Sequence, residues 1–280
     1  MALGACSALV LAFLWLPLLL IIVYAFNRSN IQSWPVTGLT ARWFRVAWDD
    51  EEVRSALRLS VRAGLIATGV ALVLGSMAAF AIDRFRFFGR ESVSFLLVLP
   101  IALPGIITGM ALNAFFTARH IDLSLWTIVI GHSTFCVVVV YNNVLARLRR
   151  TSASLLEASA DLGADGWQTF RFVTWPVIST ALVAGGLLAF ALSFDEVIVT
   201  YFTAGAQNTL PLLILGYIRL GQQLPVVNVV AFAIICATVI PVALAQRLMR
   251  DSGLVRSAPA APLETSSDAA DEVAPAGAGS

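Results

Sequence analysis

The chain has 280 residues, 59% of them hydrophobic and 12% charged, with a formal net charge of +1 and a mean hydropathy of +0.85. That composition excludes a soluble globular domain and marks a polytopic membrane protein. All 18 basic residues are arginine. A P-loop needs a lysine on the nucleotide phosphates, so the chain itself carries no ATP site and no cofactor is expected in it.

Six apolar runs reach the roughly 20 residues that cross a bilayer: 6–26, 63–82, 92–118, 123–146, 177–194 and 226–245. The first has no basic residues ahead of it and no small-x-small cleavage site, so it reads as a retained helix rather than a signal peptide. The outer segment 27–62 follows, where Asp49, Asp50, Glu51 and Glu52 lie alongside the arginines. In the third run, LPIALPGIITG places Pro100, Pro104, Gly105 and Gly109 close together. Such spacing gives either close helix packing or a bent wall of the kind that lines a pathway. His132 and Cys136 share a helix face in the fourth run, but two ligands without a third make no metal site, and a packed, hydrogen-bonded imidazole is expected instead.

Residues 155–176, LLEASADLGADGWQTFRFVTWP, interrupt the apolar pattern. Ser152 or Ser154 caps a first short helix, Gly163 fits a left-handed stop, and Asp165 caps a second helix that Trp175 and Pro176 end. Trp167 and Phe170 give the pair an apolar surface that needs a protein or headgroups to pack on. Either a docking element or an interfacial amphipathic loop satisfies that need.

After the fifth run, Asp195 and Glu196 lie about 27–29 Å from Val177 at a helical rise of about 1.5 Å per residue. Acids at such depth mark a functional site by default. They serve a cationic solute, or they pair with Arg62, Arg119 or Arg219. The 195–225 stretch is broken by AGAQN and Pro211 into pieces too short to span, which suggests a half-inserted or surface helix on the outer side. Residues 251–280 are Ala/Pro/Ser-rich and acidic and read as a disordered tail. Arg84, Arg86, Arg90, Arg147, Arg149, Arg150 and Arg171 fall in the short loops 83–91 and 147–176. The positive-inside rule makes that side, and both termini, cytoplasmic.

The spacing Glu157-Ala158-Ser159, three residues, Gly163, nine residues, Val173-x-Trp175-Pro176 resembles the EAA motif of the membrane subunits of binding-protein-dependent ABC importers. Ser159, Val173 and Trp175 depart from it by small or apolar replacements. The likeness runs from about Pro17 to Arg250, through VYAFN at 23–27, GLTARWF at 38–44, LPGIITGMAL at 103–112, IGHSTFC at 130–136 and LLAFALSFDEVIVTYF at 187–202. It is strongest to the second permease of spermidine/putrescine transporters.

The resemblance implies an all-α permease domain over 1–250 with six transmembrane helices of the type I importer kind, in the bacterial inner membrane. It implies as partners a cytoplasmic ATPase dimer, which binds the ATP, a second permease subunit and an extracytoplasmic solute-binding protein. Glu157, Ala158, Gly163, Ala164, Asp165 and Gly166 would couple to the ATPase. Ser193, Asp195 and Glu196, matching the family's Ser-x-Asp-Asp, and Trp43 in the outer loop would line the substrate path. Gly105 and Val226 stand where such permeases often carry acids, which makes a less highly charged solute credible: putrescine, an amino-acid derivative or an aminophosphonate. No intramembrane nucleophile and base, no metal cluster and no internal repeat favour an enzyme, a channel or a secondary carrier.

Overall fold

The computed structural model describes residues 2–32, 34–36 and 38–251. The chain divides into two compact units, Met1–Phe232 and Ala233–Ser280. The tail expected beyond Asp251 lies outside the described residues.

Every named element among the described residues is helical. In chain order they are α1 (Ala2–Ala25), α2 (Arg42–Asp49), α3 (Glu51–Arg84), α4 (Arg90–Ala102), α5 (Gly105–Ala118), α6 (Leu125–Arg149), α7 (Ala153–Asp161), α8 (Gly166–Thr169), a π-turn (Phe170–Thr174), α9 (Trp175–Asp195), α10 (Ile198–Thr203), α11 (Leu210–Leu220) and α12 (Leu224–Asp251). Four helical stretches are long and apolar enough to cross a membrane: Gly4–Ala25, Glu51–Arg84, Leu125–Arg149 and Gly166–Asp195. The bent pair α4 and α5 is apolar enough only when taken together, as one broken span or a re-entrant loop. The sixth expected run falls within α12, whose shorter apolar part is Leu224–Ala237.

The core is α3, α6 and α9 packed along one another. Lipid tails are as apolar as leucine, so burial alone does not hold such helices together, and close van der Waals packing of small residues must. The buried face of α3 accordingly reads Ala56, Ser60, Ala63, Gly64, Ala67, Thr68, Ala71, Gly75, Ala79. At Gly75 a Cβ would stand 2.8 Å from the Val137 carbonyl oxygen and 2.9 Å from Val140 Cβ. Only glycine lets the two backbones meet there. Against this stripe α6 sets Cys136, Val140, Tyr141 and Val144, and α9 adds Ile178 and Ala189. The Tyr141 hydroxyl pairs with Ser94 Oγ at 2.7 Å and ties α4 to the core.

Several boundaries differ from the sequence expectation, each for a local reason. The second span begins at Glu51, not near Ala63, because Asp50 Oδ1 accepts from the N–H groups of Glu52 (2.9 Å) and Val53 (3.3 Å). With Glu51 bridging Arg54 and Arg58, both at 2.6 Å, this charged first section continues into the apolar span. A hydropathy window sees only the apolar part. The third run breaks at Leu103–Pro104 and turns by 101°, as expected where a proline forces its predecessor out of helical geometry. The second helix of the 155–176 segment does not end at Pro176. It passes through the π-turn, where the Trp175 N–H reaches the Phe170 carbonyl, directly into α9; the wider turn accommodates the proline ring that an α-helix would not.

At the far end of α1, the described residues between 26 and 40 form a small cap. Asn27 and Leu39 make an antiparallel bridge, with Arg28 N–H to Gly38 O at 2.9 Å and Thr40 N–H to Phe26 O at 2.7 Å. Phe26, Phe44 and Phe232 cluster there, with ring centroids 5.0–5.9 Å apart.

Candidate substrate path and coupling segment

α9 stops where Glu196 turns to extended backbone (φ −72°, ψ 116°), and α10 starts two residues later. Glu196 makes the restart possible. Its Oε1 accepts the Val199 N–H at 2.9 Å, and its carbonyl accepts the Thr200 hydroxyl at 2.7 Å. Asp195, one residue earlier, is exposed. The ion pairs among the described residues are Arg54–Glu51 and Arg58–Glu51, so neither Asp195 nor Glu196 is neutralised by Arg62, Arg119 or Arg219.

α10 is not a surface helix. It packs between α5 and α6, with Val199, Thr200 and Thr203 buried. Glycines make its seat. A Cβ on Gly109 would lie 2.7 Å from Phe202 Cδ2, and one on Gly131 would lie 3.0 Å from Val199 Cγ1. Polar links close its C-terminal end: Asn113 Nδ2–H donates to Phe202 O and the Thr127 hydroxyl meets Thr203 O, both at 2.7 Å. The irregular α4–α5 wall thus has a specific occupant. Gly105, where an acid was noted as missing, faces Ile198 Cβ at 3.7 Å for a built Cβ, so the missing carboxylate would have stood beside α10.

Ser193 is buried, and its Oγ lies 2.7 Å from His132 Nδ1. His132 Nε2 lies 2.8 Å from Thr200 Oγ1, so the imidazole is fully satisfied, as its apolar setting requires. Thr200 is a residue the sequence reading missed. Nothing in a separation of 68 residues signals such a pairing. Trp43 is buried, with its indole N–H donated to Asn27 O at 2.9 Å and Arg42 over its ring at 5.0 Å; it anchors the 26–40 cap. Nearby, Tyr217 of α11 donates to Glu52 Oε2 at 3.0 Å. Burial and the Glu52 and Asp50 carboxylates push this phenol above the usual tyrosine range. Among the described residues no three His, Cys, Asp or Glu side chains converge as metal ligands.

In the 155–176 segment Ser152 caps α7 by accepting the Ser154 N–H at 3.2 Å. Gly163 takes φ +78°, the left-handed value an L side chain resists. Asp165 and Gln168 then form a reciprocal capping box, with Gln168 N–H to Asp165 Oδ1 at 2.7 Å and Asp165 N–H to Gln168 Oε1 at 3.0 Å. The turn is braced by Ser159 Oγ and Thr169 Oγ1 at 2.9 Å. This gives the non-standard serine of the motif a role that alanine could not fill. Phe170 turns inward onto Phe80, with Trp167 and Trp175 beside it. Glu157, Ala158, Gly163, Asp165 and Gly166 are exposed and Ala164 is half-buried. Around them Leu162 is 87% exposed, Trp167 69% and Leu155 49%.

This is a helical elbow with an apolar outer face, continuous with a spanning helix. Residues 71–250 match the family model of the binding-protein-dependent transport system inner membrane component. The chain belongs to that family. It is a permease of the ABC importer type, and its role is transport across a membrane rather than a chemical reaction. It is similar to the putrescine transport system permease PotI of Escherichia coli K12, with 35% identity over 234 residues that cover 80% of this chain and 82% of the relative. It is also similar to the spermidine/putrescine permease PotC, at 30% identity in Escherichia coli K12 (89% and 94% covered) and 31% in Haemophilus influenzae (86% and 93%). The fold matches a subunit in the crystal structure of a bacterial ABC transporter involved in import of the acidic polysaccharide alginate. That match has a TM-score of 0.61 and 17% identity, covering 89% of this chain and 96% of the other.

Proposed function

We propose that this permease moves a small organic cation, a polyamine with putrescine foremost, into the cell. The observation that carries the reading is the 35% identity over 80% of the chain to a putrescine permease, combined with two adjacent acids, Asp195 and Glu196, that no arginine among the described residues neutralises. A dication stepping through a partly desolvated cleft needs counter-charge that is not already paired. The absence of further acids at Gly105 and Val226 supports putrescine over more highly charged polyamines and keeps an amino-acid derivative as the second reading.

The energy comes from a partner. A cytoplasmic ATPase dimer binds the ATP and receives the elbow built on Glu157, Ala158, Gly163, Ala164, Asp165 and Gly166, where exposed Leu162 and Trp167 need a protein surface to pack on. Because α8 continues through the π-turn into α9, a push on the elbow travels along one helix to Ser193, Asp195 and Glu196. Closure of the ATPases would thereby alternate access of the path, with the solute handed over by an extracytoplasmic binding protein and the other wall supplied by a second permease. Both termini and the elbow lie on the cytoplasmic side in this reading.

The test is uptake of labelled putrescine into proteoliposomes that hold the whole transporter with its ATPase and binding protein. Asp195→Asn with Glu196→Gln should abolish uptake. Undiminished uptake in that double variant would take the acids out of the path, and uptake of only anionic or neutral solutes by the wild type would overturn the polyamine reading.

A further inference from the structure

We propose that His132 is a positioning residue that pins the break between α9 and α10, and so fixes where the Asp195 and Glu196 carboxylates stand; this rests on their reading as acids of the substrate path. The pin is a directed relay. Thr200 has one hydroxyl proton, and it goes to the Glu196 carbonyl at 2.7 Å. Its oxygen can then only accept from His132, which places the imidazole proton on Nε2, 2.8 Å away. A neutral ring with that tautomer presents Nδ1 as an acceptor, and Ser193 donates to it at 2.7 Å.

The usual fallback for a helical serine is the carbonyl four residues earlier. At Ala189 that carbonyl already takes the Cys136 thiol at 3.3 Å. Ser193, His132, Thr200 and the Glu196 carbonyl therefore form one chain that starts in the last turn of α9, crosses through α6 and returns from α10 to the break. His132, Ser193 and Thr200 are 1%, 3% and 0% exposed, so no solvent competes for these bonds, and each is costly to leave unmade. The histidine reaches both sides of the break. It touches no solute. Its effect on transport passes through the backbone that carries the two acids.

Hydrogen–deuterium exchange and transport on the purified whole transporter test this. His132→Phe removes both bonds at similar bulk, and Ser193→Ala removes the α9 arm alone, leaving the Thr200 hydroxyl on the Glu196 carbonyl. In each variant the amides of 196–203 should exchange about tenfold faster, the scale of one buried hydrogen bond, while those of 128–140 in α6 keep their protection. The number of putrescine molecules imported per ATP hydrolysed should fall by about tenfold in each, and the double variant should fall no further than His132→Phe.

A loss of packing alone would lower import and hydrolysis together and leave their ratio unchanged. Unchanged exchange at 196–203 overturns the pin, as does faster exchange with an unchanged ratio. If His132→Phe fails to assemble, Ser193→Ala decides by the same readings. A wild-type transporter that imports no organic cation removes the path reading instead, and exchange at 196–203 then still decides whether the pin exists.

Discussion

Asp195 and Glu196 are adjacent acids with different structural duties. Glu196 caps α10 through its Oε1, whereas Asp195 is exposed and supports no helix end. Glu196→Ala should therefore destabilise by about 1 kcal/mol, the usual worth of such a cap, seen as a lower melting temperature in detergent. Glu196→Gln keeps an acceptor and should melt near the wild type. Asp195→Asn should leave melting unchanged and still lower cation uptake. Gly109 offers a test of the α10 seat. Because a Cβ there would stand 2.7 Å from Phe202, Gly109→Val should cost about 1–3 kcal/mol of overpacking and displace α10, measured as lost thermal stability together with lost uptake. Both acids were visible in the chain as charges after an apolar run. Their separate roles were not, because a cap depends on where the helix restarts, and that is set by contacts with α5 and α6.

At the scale of elements, the joint between elbow and span is the π-turn. Pro176 in the first turn of α9 is what keeps the preceding residues from regular α pairing. Pro176→Ala restores an N–H and removes the ring, so the helix should regain α geometry, with higher melting temperature and weaker coupling, read as ATP hydrolysis that no longer responds to the loaded binding protein. Gly163 acts at the other end of the elbow. At φ +78° a valine there would be strained by about 1–2 kcal/mol, and Gly163→Val should reduce co-purification of the ATPase, whereas Gly163→Asn should retain it. The capping residues and the left-handed stop were legible because caps and glycine stops are local signals. The continuity through Pro176 was not, since a proline after Trp175 reads equally as a stop.

At the scale of the whole molecule, much of the apolar surface among the described residues faces outward. Along Gly4–Ala25 only the last residue, Ala25, is buried, and Leu9, Phe13, Leu14 and Trp15 all face outward. The elbow's apolar face is open as well. Such surfaces suit lipid and companion subunits, not water. A transporter purified with its second permease and ATPase should accordingly melt higher than this chain alone in the same detergent, by the mass-action effect of partners that bind only the folded state. Equal melting would show that the exposed helix faces gain nothing from assembly.

By itself the sequence determined the solvent this protein lives in, its all-helical class and the capped, glycine-stopped turn within residues 155–176, because hydropathy and cap spacing are properties of short stretches. Tertiary structure decided the rest: that the third run bends by 101° at Leu103–Pro104, that a six-residue helix fills the glycine-lined gap, and that His132 joins two turns 61 and 68 residues away. Those features come from backbones approaching within contact distance across the core. The residues that permit such approach, glycine, serine and threonine, look the same in sequence whether or not another helix lies against them.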